Sequence, residues 1–288
     1  MDKLSKKEEN EMYKDKCNQM ITNQEIPKIT KDEYKILEFN EFGGQRNVFR
    51  GKYKGHDVAI KINKDLDYKL LAHELFIISE LQHENIEKLY GVCLDDNEIT
   101  IVTEYIDGTT LDVMNKSEDF TEQDRISAIK DICAGIACIH NNDLGIIHRD
   151  LKPNNIMVDK NNKCIIIDFG IAKVCSNKND TKTLTRGTVE YTSPDEYNDE
   201  SITKKVDIWA LGCIIYNLFT GYIPWTESTE FEGFEPWINK CLCMDSIPFV
   251  ISNKITNPII RNLIERCTVR DHTKRADINE VLDILKEL

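Results

Sequence analysis

The sequence predicts an α+β protein with two lobes: a small antiparallel β lobe with one helix, and a larger, mainly helical lobe. The first reason is that short strand-like runs, separated by turn residues, dominate positions 34–105. The second is that apolar residues at three- and four-residue spacing dominate most of the later chain. The 288 residues are enough for a real core, in one large domain or in two lobes.

We predict three segments, and a family resemblance at Glu104-Tyr105 implies the boundary between the second and the third. Residues 1–33 are polar and of mixed charge, and we predict an N-terminal extension that is mobile or loosely docked. Residues 34–104 form the small lobe and residues 105–288 the large lobe, so that residues 34–288 make one domain. We find no internal repeat and no long linker.

The small lobe is expected to be a sheet with a single helix. Residues between the third and fourth strands carry leucine and isoleucine at helical spacing, which predicts a helix over 65–81. The β-rich runs predict strands at Tyr34–Phe39, Asn47–Tyr53, His56–Ile62, Leu89–Leu94 and Ile99–Tyr105.

The large lobe is expected to be built around helices. A capping pattern at Thr121–Asp124 begins a helix that runs to about Asn141. Residues 207–221 form a helix that is apolar on nearly all sides, and such a helix belongs in a core. Two amphipathic helices, at 259–267 and 277–288, complete the lobe.

The charge of the chain limits its partners. There are 37 Lys and Arg residues against 50 Asp and Glu residues, which gives a net charge of −13. Because no long Lys/Arg block is present, this acidity argues against nucleic acid or an anionic membrane as the main partner. The longest apolar stretch, 208–219, contains Asn217 and is too short to span a membrane.

Compartment signals are few. The start of the sequence lacks the apolar core of a signal peptide. Most of the ten cysteines lie inside apolar runs, which indicates buried thiols in a reducing compartment rather than disulfides. These observations predict a cytoplasmic location. They give no indication of the oligomeric state.

The chemistry is concentrated in residues 148–155, with the sequence HRDLKPNN, and in the Asp-Phe-Gly triplet that begins at Asp168. Between them a strand, a tight turn and a second strand predict a hairpin with polar residues at its mouth. The hairpin would bring Asn155 and Asp168 side by side across thirteen positions of sequence. An amide oxygen and a carboxylate are hard ligands, which suit Mg²⁺ better than zinc or copper.

This segment resembles the catalytic loop and magnesium loop of the eukaryotic protein kinases, whose motif set is well defined. The resemblance implies that Asp150 orients, or accepts the proton of, a substrate hydroxyl and that Lys152 steadies the transferring phosphoryl group. It implies that Asn155 and Asp168 hold Mg²⁺ on the phosphates of ATP. The lysine at 152 is typical of serine/threonine kinases, so the implied reaction transfers the γ-phosphoryl of ATP to Ser/Thr hydroxyls of proteins. His148 and Phe169 are expected to be packing residues.

The small lobe carries the matching nucleotide residues. The stretch with the sequence VAIK at 58–61 resembles the third kinase strand, whose lysine, here Lys61, reaches the α- and β-phosphates. In kinases a glutamate of the following helix pairs with that lysine. Glu74 is the better candidate and Glu80 competes with it. Thr103, Glu104 and Tyr105 resemble the gate and hinge of the adenine pocket, whose other walls the resemblance assigns to Val48, Ala59 and Met157.

The glycine-rich loop departs from the family pattern. Aligned on Val48, the chain keeps the middle glycine, Gly43, and Gly44 follows it, but Glu41 and Arg46 replace the outer two glycines. Glycine lets backbone amides approach phosphate closely, so this loop should cover the nucleotide less well. Arg46 either presents a compensating cation or is a solvated loop residue, and the sequence does not favour one over the other.

The segment between Asp168 and Asp195 resembles the activation and substrate loop. Thr183 or Thr185 is a candidate phosphorylation site, with Arg149 and Lys173 as a cationic pocket for a phosphothreonine. The alternative is that these are solvated loop threonines, which holds for at least one of them. Asp195 stands where kinases usually have glutamate, and Arg275 could be its buried partner.

The sequence leaves two alternatives to a protein kinase. One is a weakly active, pseudokinase-like scaffold that regulates partners through nucleotide-dependent shape, favoured by the degenerate glycine loop alone. The other is a small-molecule kinase, which the serine/threonine-type substrate loop disfavours. The intact set of Lys61, Glu74, Asp150, Asn155 and Asp168 favours the protein kinase.

Overall fold

The computed structural model divides into two compact units, residues 1–107 and 108–288. Each unit buries its own set of apolar side chains. The residues that the structure describes are 6–23, 25–40, 47–63, 67–95, 98–174, 188–197, 202–222 and 251–288.

The described part of the first unit contains one antiparallel sheet with the strand order β1-β2-β3-β5-β4. The sheet matches the predicted strands to within one residue at either end, because each strand is bounded by turn or polar residues. Its elements are α1 (Lys6–Thr22), β1 (Tyr34–Asn40), β2 (Asn47–Tyr53), β3 (His56–Asn63), α2 (Tyr68–Ser79), β4 (Leu89–Leu94) and β5 (Ile99–Glu104).

The N-terminal extension is packed into the first unit, which corrects the prediction of a mobile or loosely docked segment. Helix α1 lies against α2: the side-chain oxygen of Asn10 accepts a hydrogen bond of 3.0 Å from the backbone N–H of Tyr68. Cys17 and Met20 are buried in a cluster that includes Leu75 of α2. The apolar contact has a physical source, since residues 13, 17 and 20 recur at helical spacing and form one stripe.

The chain that follows α1 also pairs with the sheet. Lys28 makes a parallel bridge with Val92 of β4, and the backbone bonds on either side of it measure 2.9 and 3.0 Å. Gly91 makes this approach possible, because a Cβ there would lie 2.3 Å from the carbonyl oxygen of Pro27. The N-terminal segment therefore covers the free side of β4.

The second unit is mainly helical, with short strands. Two 3-10 turns, at Pro153–Asn155 and Val189–Tyr191, lie among its described elements. The strands and helices are β6 (Gly108–Thr110), α3 (Leu111–Met114), α4 (Glu122–Asn141), β7 (Ile146–Ile147), β8 (Ile156–Asp159), β9 (Cys164–Ile166), β10 (Lys173–Val174), α5 (Pro194–Tyr197), α6 (Lys205–Thr220), α7 (Pro258–Cys267) and α8 (Ile278–Leu285).

Helix α6 is the core of this unit, as its apolar sequence predicted. All of its residues from Val206 to Leu218 are buried, and Gly221 ends it at a φ of 75°. Helix α7 packs closely against it at Gly212, where a Cβ would lie 2.8 Å from that of Cys267. Among the described residues no helix combines the length and the apolarity that a membrane crossing requires.

The start of α4 confirms the predicted capping pattern. The Thr121 hydroxyl accepts from the backbone N–H of Asp124 at 3.2 Å, and the Asp124 carboxylate accepts from that of Thr121 at 2.9 Å. Reciprocal bonds of this kind satisfy N–H groups that have no partner within the helix. The cap fixes where α4 begins, and α4 leads to the segment that carries the site.

Candidate functional site

A hairpin of β8 and β9 positions the two predicted metal ligands. Ile156 pairs with Ile166, and the backbone N–H of Ile167 donates to the carbonyl of Asn155 at 3.0 Å. Asn155 and Asp168 therefore lie at the same end of the hairpin, as the sequence predicted. Strand β6, which was not predicted, adds a third strand beside β8.

Asp150 is the centre of a hydrogen-bond network. Its Oδ2 accepts from the Lys152 ammonium at 2.8 Å and from the Asn155 amide nitrogen at 2.8 Å. Its Oδ1 accepts from the backbone N–H and the hydroxyl of Thr188 at 3.2 and 3.1 Å. Lys152 also donates to the Thr188 hydroxyl at 2.7 Å. Asp150 and Lys152 can therefore hold an aliphatic hydroxyl between them.

The two predicted metal ligands are an amide, Asn155, and a carboxylate, Asp168. The hydrogen bonds of Asn155 to Asp150 come from its amide nitrogen, which directs the amide oxygen elsewhere as a hard ligand. Asp168 is exposed. In the described part of the chain no group of three His, Cys, Asp or Glu side chains is arranged to hold a metal ion. An amide plus a carboxylate fits Mg²⁺, which keeps water and substrate phosphate as its other ligands.

Two residues of the site have an unusual backbone conformation. Arg149 has a φ of 70° and Asp168 a φ of 66°, both in the left-handed region. That region is uncommon for residues other than glycine and costs on the order of 1 kcal/mol. The surrounding bonds hold these conformations, including the one from the Gly170 N–H to Asp168 at 3.2 Å.

Asp207 of α6 anchors the loop that carries Asp150. It accepts from the backbone N–H groups of His148 and Arg149, each at 2.8 Å, and bonds to the ring of His140 at 2.8 Å. Burial alone raises the pKa of Asp207, but His140, His148 and the backbone bond from Arg149 outweigh it and hold the pKa below its usual value. The ionised carboxylate therefore fixes the loop.

His148 and Phe169 are packing residues, as predicted. Both are buried, and their rings lie 4.8 Å apart between centroids. The His148 ring also lies 3.3 Å from the carbonyl of Ile167. This contact joins the loop before β8 to the Asp168 segment after β9.

In the first unit the strand lysine bonds to a carboxylate that the sequence analysis did not identify. Lys61 donates to both oxygens of Glu87, at 2.8 and 3.0 Å, whereas Glu74 was the predicted partner. The Glu87 side chain is 3% exposed and that of Lys61 is 13% exposed. Glu74 is buried in α2, and its predicted role stays a prediction. Glu87 could have been identified from the sequence, because it is a charged residue between Ile86 and the apolar strand β4.

Three other predicted nucleotide residues of this unit, Val48, Ala59 and Thr103, lie on the same face of the sheet as Lys61. Val48 lies opposite Lys61 in the register of β2 and β3, and Ala59 lies opposite Thr103 in that of β3 and β5. Because alternate residues of a strand share a face, these four side chains lie on the same side of the sheet. Thr103 is buried.

The predicted hinge residues lie at the end of β5. The backbone N–H of Glu104 donates to the carbonyl of Lys88 at 2.8 Å. The Arg50 guanidinium lies 4.7 Å from the ring centroid of Tyr105. Met157 lies on β8 in the second unit and is half-buried. The adenine contacts implied for these residues stay predictions.

Arg149, which was predicted to belong to a phosphothreonine pocket, is bonded to a buried carboxylate, and its predicted role stays a prediction. Its Nε and Nη2 atoms each donate to Glu196 of α5 at 3.2 Å, and both side chains are buried. Burial raises the pKa of Glu196 to about 7, while Arg149 acts in the opposite direction. A phosphate could bind Arg149 fully only by displacing this carboxylate. Lys173, the second predicted pocket residue, is buried in β10.

The predicted pair of Asp195 and Arg275 is confirmed. Arg275 donates to Asp195 at 2.6 Å, and both side chains are almost fully buried. The shorter aspartate therefore still reaches the arginine. Several predicted residues lie outside the described part of the chain, namely Gly43, Gly44, Arg46, Thr183 and Thr185.

Comparison with known families agrees with this geometry. The family model described as "Protein kinase domain" matches residues 42–284. The match covers most of both units, with strands β2 to β5, the Asp150 loop and the Asp168 hairpin inside it. The chain belongs to the protein kinase family.

The relatives that it matches are named as serine/threonine kinases. Serine/threonine-protein kinase STY46 of Arabidopsis thaliana is 30% identical over 254 residues, 85% of this chain and 42% of the relative. A probable serine/threonine-protein kinase, PknB of Lactococcus lactis, is 32% identical over 271 residues, 90% of this chain and 42% of the relative. The chain thus spans less than half the length of these relatives. Their names support the serine/threonine type.

Proposed function

We propose that this chain is an ATP-dependent serine/threonine protein kinase that transfers the γ-phosphoryl group to hydroxyls of protein substrates. The observation that carries the proposal is the network around Asp150, which joins Lys152, Asn155 and a threonine hydroxyl. Phosphoryl transfer needs placement and positive charge more than covalent chemistry. The network supplies the placement through Asp150 and the positive charge through Lys152, which is bonded to it.

The protein kinase family pattern assigns the roles of the residues, and their contacts support it. Asp150 orients the substrate hydroxyl and accepts its proton as the new bond to phosphorus forms. Lys152, 2.8 Å from that carboxylate, offsets negative charge on the transferring group. Asn155 and Asp168 would hold Mg²⁺, and the metal supplies charge neutralisation on the phosphate oxygens when bound. Lys61 would bind the other phosphates of ATP.

A phosphate-transfer assay tests the proposal. The chain is incubated with Mg²⁺ and γ-labelled ATP and a mixture of proteins or peptides, followed by phosphoamino-acid analysis. We expect label on serine and threonine, and a loss of about 100-fold or more in Asp150→Asn, because an amide cannot accept the proton. Equal labelling by the variant, or the absence of labelling by the wild type, would contradict the proposal.

The scaffold alternative predicts nucleotide binding without substantial transfer. It was based on the degenerate glycine loop, and residues 41–46 of that loop lie outside the described part of the chain. The contacts of Asp150 with Lys152 and Asn155 favour catalysis instead. The same assay therefore separates the two, since a scaffold would bind Mg²⁺-ATP and leave the substrates unlabelled.

Partners and location are part of the same proposal. The substrates are proteins with accessible Ser or Thr, and nucleic acid and membrane are not expected as main partners at a net charge of −13. The cytoplasmic location stays a prediction. The cysteines that the structure describes are free thiols, most of them buried, which suits a reducing compartment.

A further inference from the structure

The segment before β4 places a buried carboxylate on the lysine of the nucleotide site. Glu87 bonds to Lys61 through both of its oxygens, at 2.8 and 3.0 Å. With 3% of its side chain exposed, this carboxylate is largely removed from water. An ionised group in that position is costly unless it is paired, so the lysine and the glutamate hold each other in place.

The backbone around Glu87 is fixed on both sides. Before it, the Ile86 N–H donates to the His83 carbonyl at 3.1 Å, and after it the Lys88 carbonyl accepts from Glu104 of β5 at 2.8 Å. Asn85 and Ile86 are buried. Glu87 therefore lies in a segment that is bonded to β5 and not in α2, and it reaches Lys61 from that segment.

We propose that Glu87 is a positioning residue that holds the Lys61 ammonium toward the phosphates of ATP, a role that the sequence pattern assigns to Glu74. The inference rests on the proposed kinase function. A carboxylate on Nζ holds the lysine extended, which is what phosphate binding requires of it. Because Glu87 lies in the segment before β4 and not in α2, its contact with Lys61 does not depend on α2.

The sheet register supports this role. Lys61 shares a face with Val48, Ala59 and Thr103, which are the residues that the family resemblance assigns to the nucleotide. Glu87 holds the ammonium on that face through two hydrogen bonds.

Steady-state kinetics of matched variants test the proposal. Glu87→Gln keeps the size of the side chain and removes its charge, Glu74→Gln tests the competing residue, and Glu84→Gln is the control, since Glu84 is exposed three positions earlier. For Glu87→Gln we expect kcat to fall at least tenfold, with a smaller change in the KM for ATP, because orientation matters most in the transition state. Glu87→Asp should recover part of kcat, and Glu84→Gln should match the wild type.

Thermal unfolding of each variant separates positioning from a structural role. A fall in kcat that remains at a temperature where Glu87→Gln is fully folded supports the proposal. An unchanged or increased kcat in that variant would overturn it, and an increase would mean that Glu87 holds the lysine away from ATP. A tenfold loss in Glu74→Gln with none in Glu87→Gln would return the role to Glu74. If the wild type itself transfers no phosphate, the proposed function fails as well, and Asp150→Asn then equals the wild type.

Discussion

The Glu196 carboxylate links acid–base behaviour to stability. Its ordinary pKa is 4.5, and in the folded protein burial raises the pKa to about 7. The folded state therefore binds a proton more tightly than the unfolded state. A raised folded pKa adds stability that is fully present below about pH 4.5 and is lost as the pH rises through about 7.

Replacing Glu196 by glutamine should reduce the pH dependence of unfolding. Between pH 4.5 and 7 the free energy of unfolding of the wild type should fall, relative to Glu196→Gln, by up to about 1.4 kcal/mol per pH unit. Urea unfolding of both proteins across this range measures the difference. Glu118→Gln, at an exposed position, should keep the wild-type profile. Identical slopes for the wild type and Glu196→Gln would contradict the assignment.

Site residues that lie close together in the sequence could be predicted, whereas contacts between residues from distant segments could not. Asp150, Asn155 and Asp168 lie in one loop and hairpin, so their spacing alone was informative. The partners of Lys61 and Arg149 come from other elements, and several glutamates compete for each cation. Packing decides which carboxylate is buried beside each cation, Glu87 beside Lys61 and Glu196 beside Arg149. The spacing of residues in the local sequence does not indicate this choice.

At the scale of elements, the strands and long helices were predictable because each has a clear period and end signals. The boundaries of β2 and β4 were predicted correctly, and α4 begins at the predicted cap. For the segment that contains α1 we predicted a mobile or loosely docked extension, because its apolar stripe is narrow and the rest of its surface is charged. Its stability comes from contact with α2, which includes the ion pair between Glu9 and Lys69 at 2.7 Å, so its local composition was a poor guide.

Two methionines of α1 provide a matched test of its docking. Met20 is 4% exposed and Met12 is 48% exposed. Met20→Ala should lower the free energy of unfolding by about 2–4 kcal/mol, because it leaves a cavity against α2. Met12→Ala should stay within about 0.5 kcal/mol of the wild type. Urea unfolding measures both, and equal effects would mean that α1 is not docked.

At the largest scale, Arg275 connects distant parts of the second unit. Besides the pair with Asp195 of α5, it donates to the carbonyls of Lys205, at the start of α6, and of Val269 at 2.7 and 2.8 Å. Its guanidinium lies 5.1 Å from the ring centroid of Trp209. The residue thus ties α5, which also carries Glu196, to α6 and to the segment between α7 and α8.

Removing Arg275 should therefore destabilise the second unit as a whole. Arg275→Ala leaves the Asp195 carboxylate buried without its cation, so we expect a loss of about 3–5 kcal/mol in the free energy of unfolding. Lys274→Ala is the control, because that side chain is 77% exposed and its loss should cost less than about 0.5 kcal/mol. The double variant Arg275→Met/Asp195→Asn should recover part of the loss, since it leaves no unpaired charge. Equal destabilisation by Arg275→Ala and Lys274→Ala would show that the buried pair does not hold these elements together.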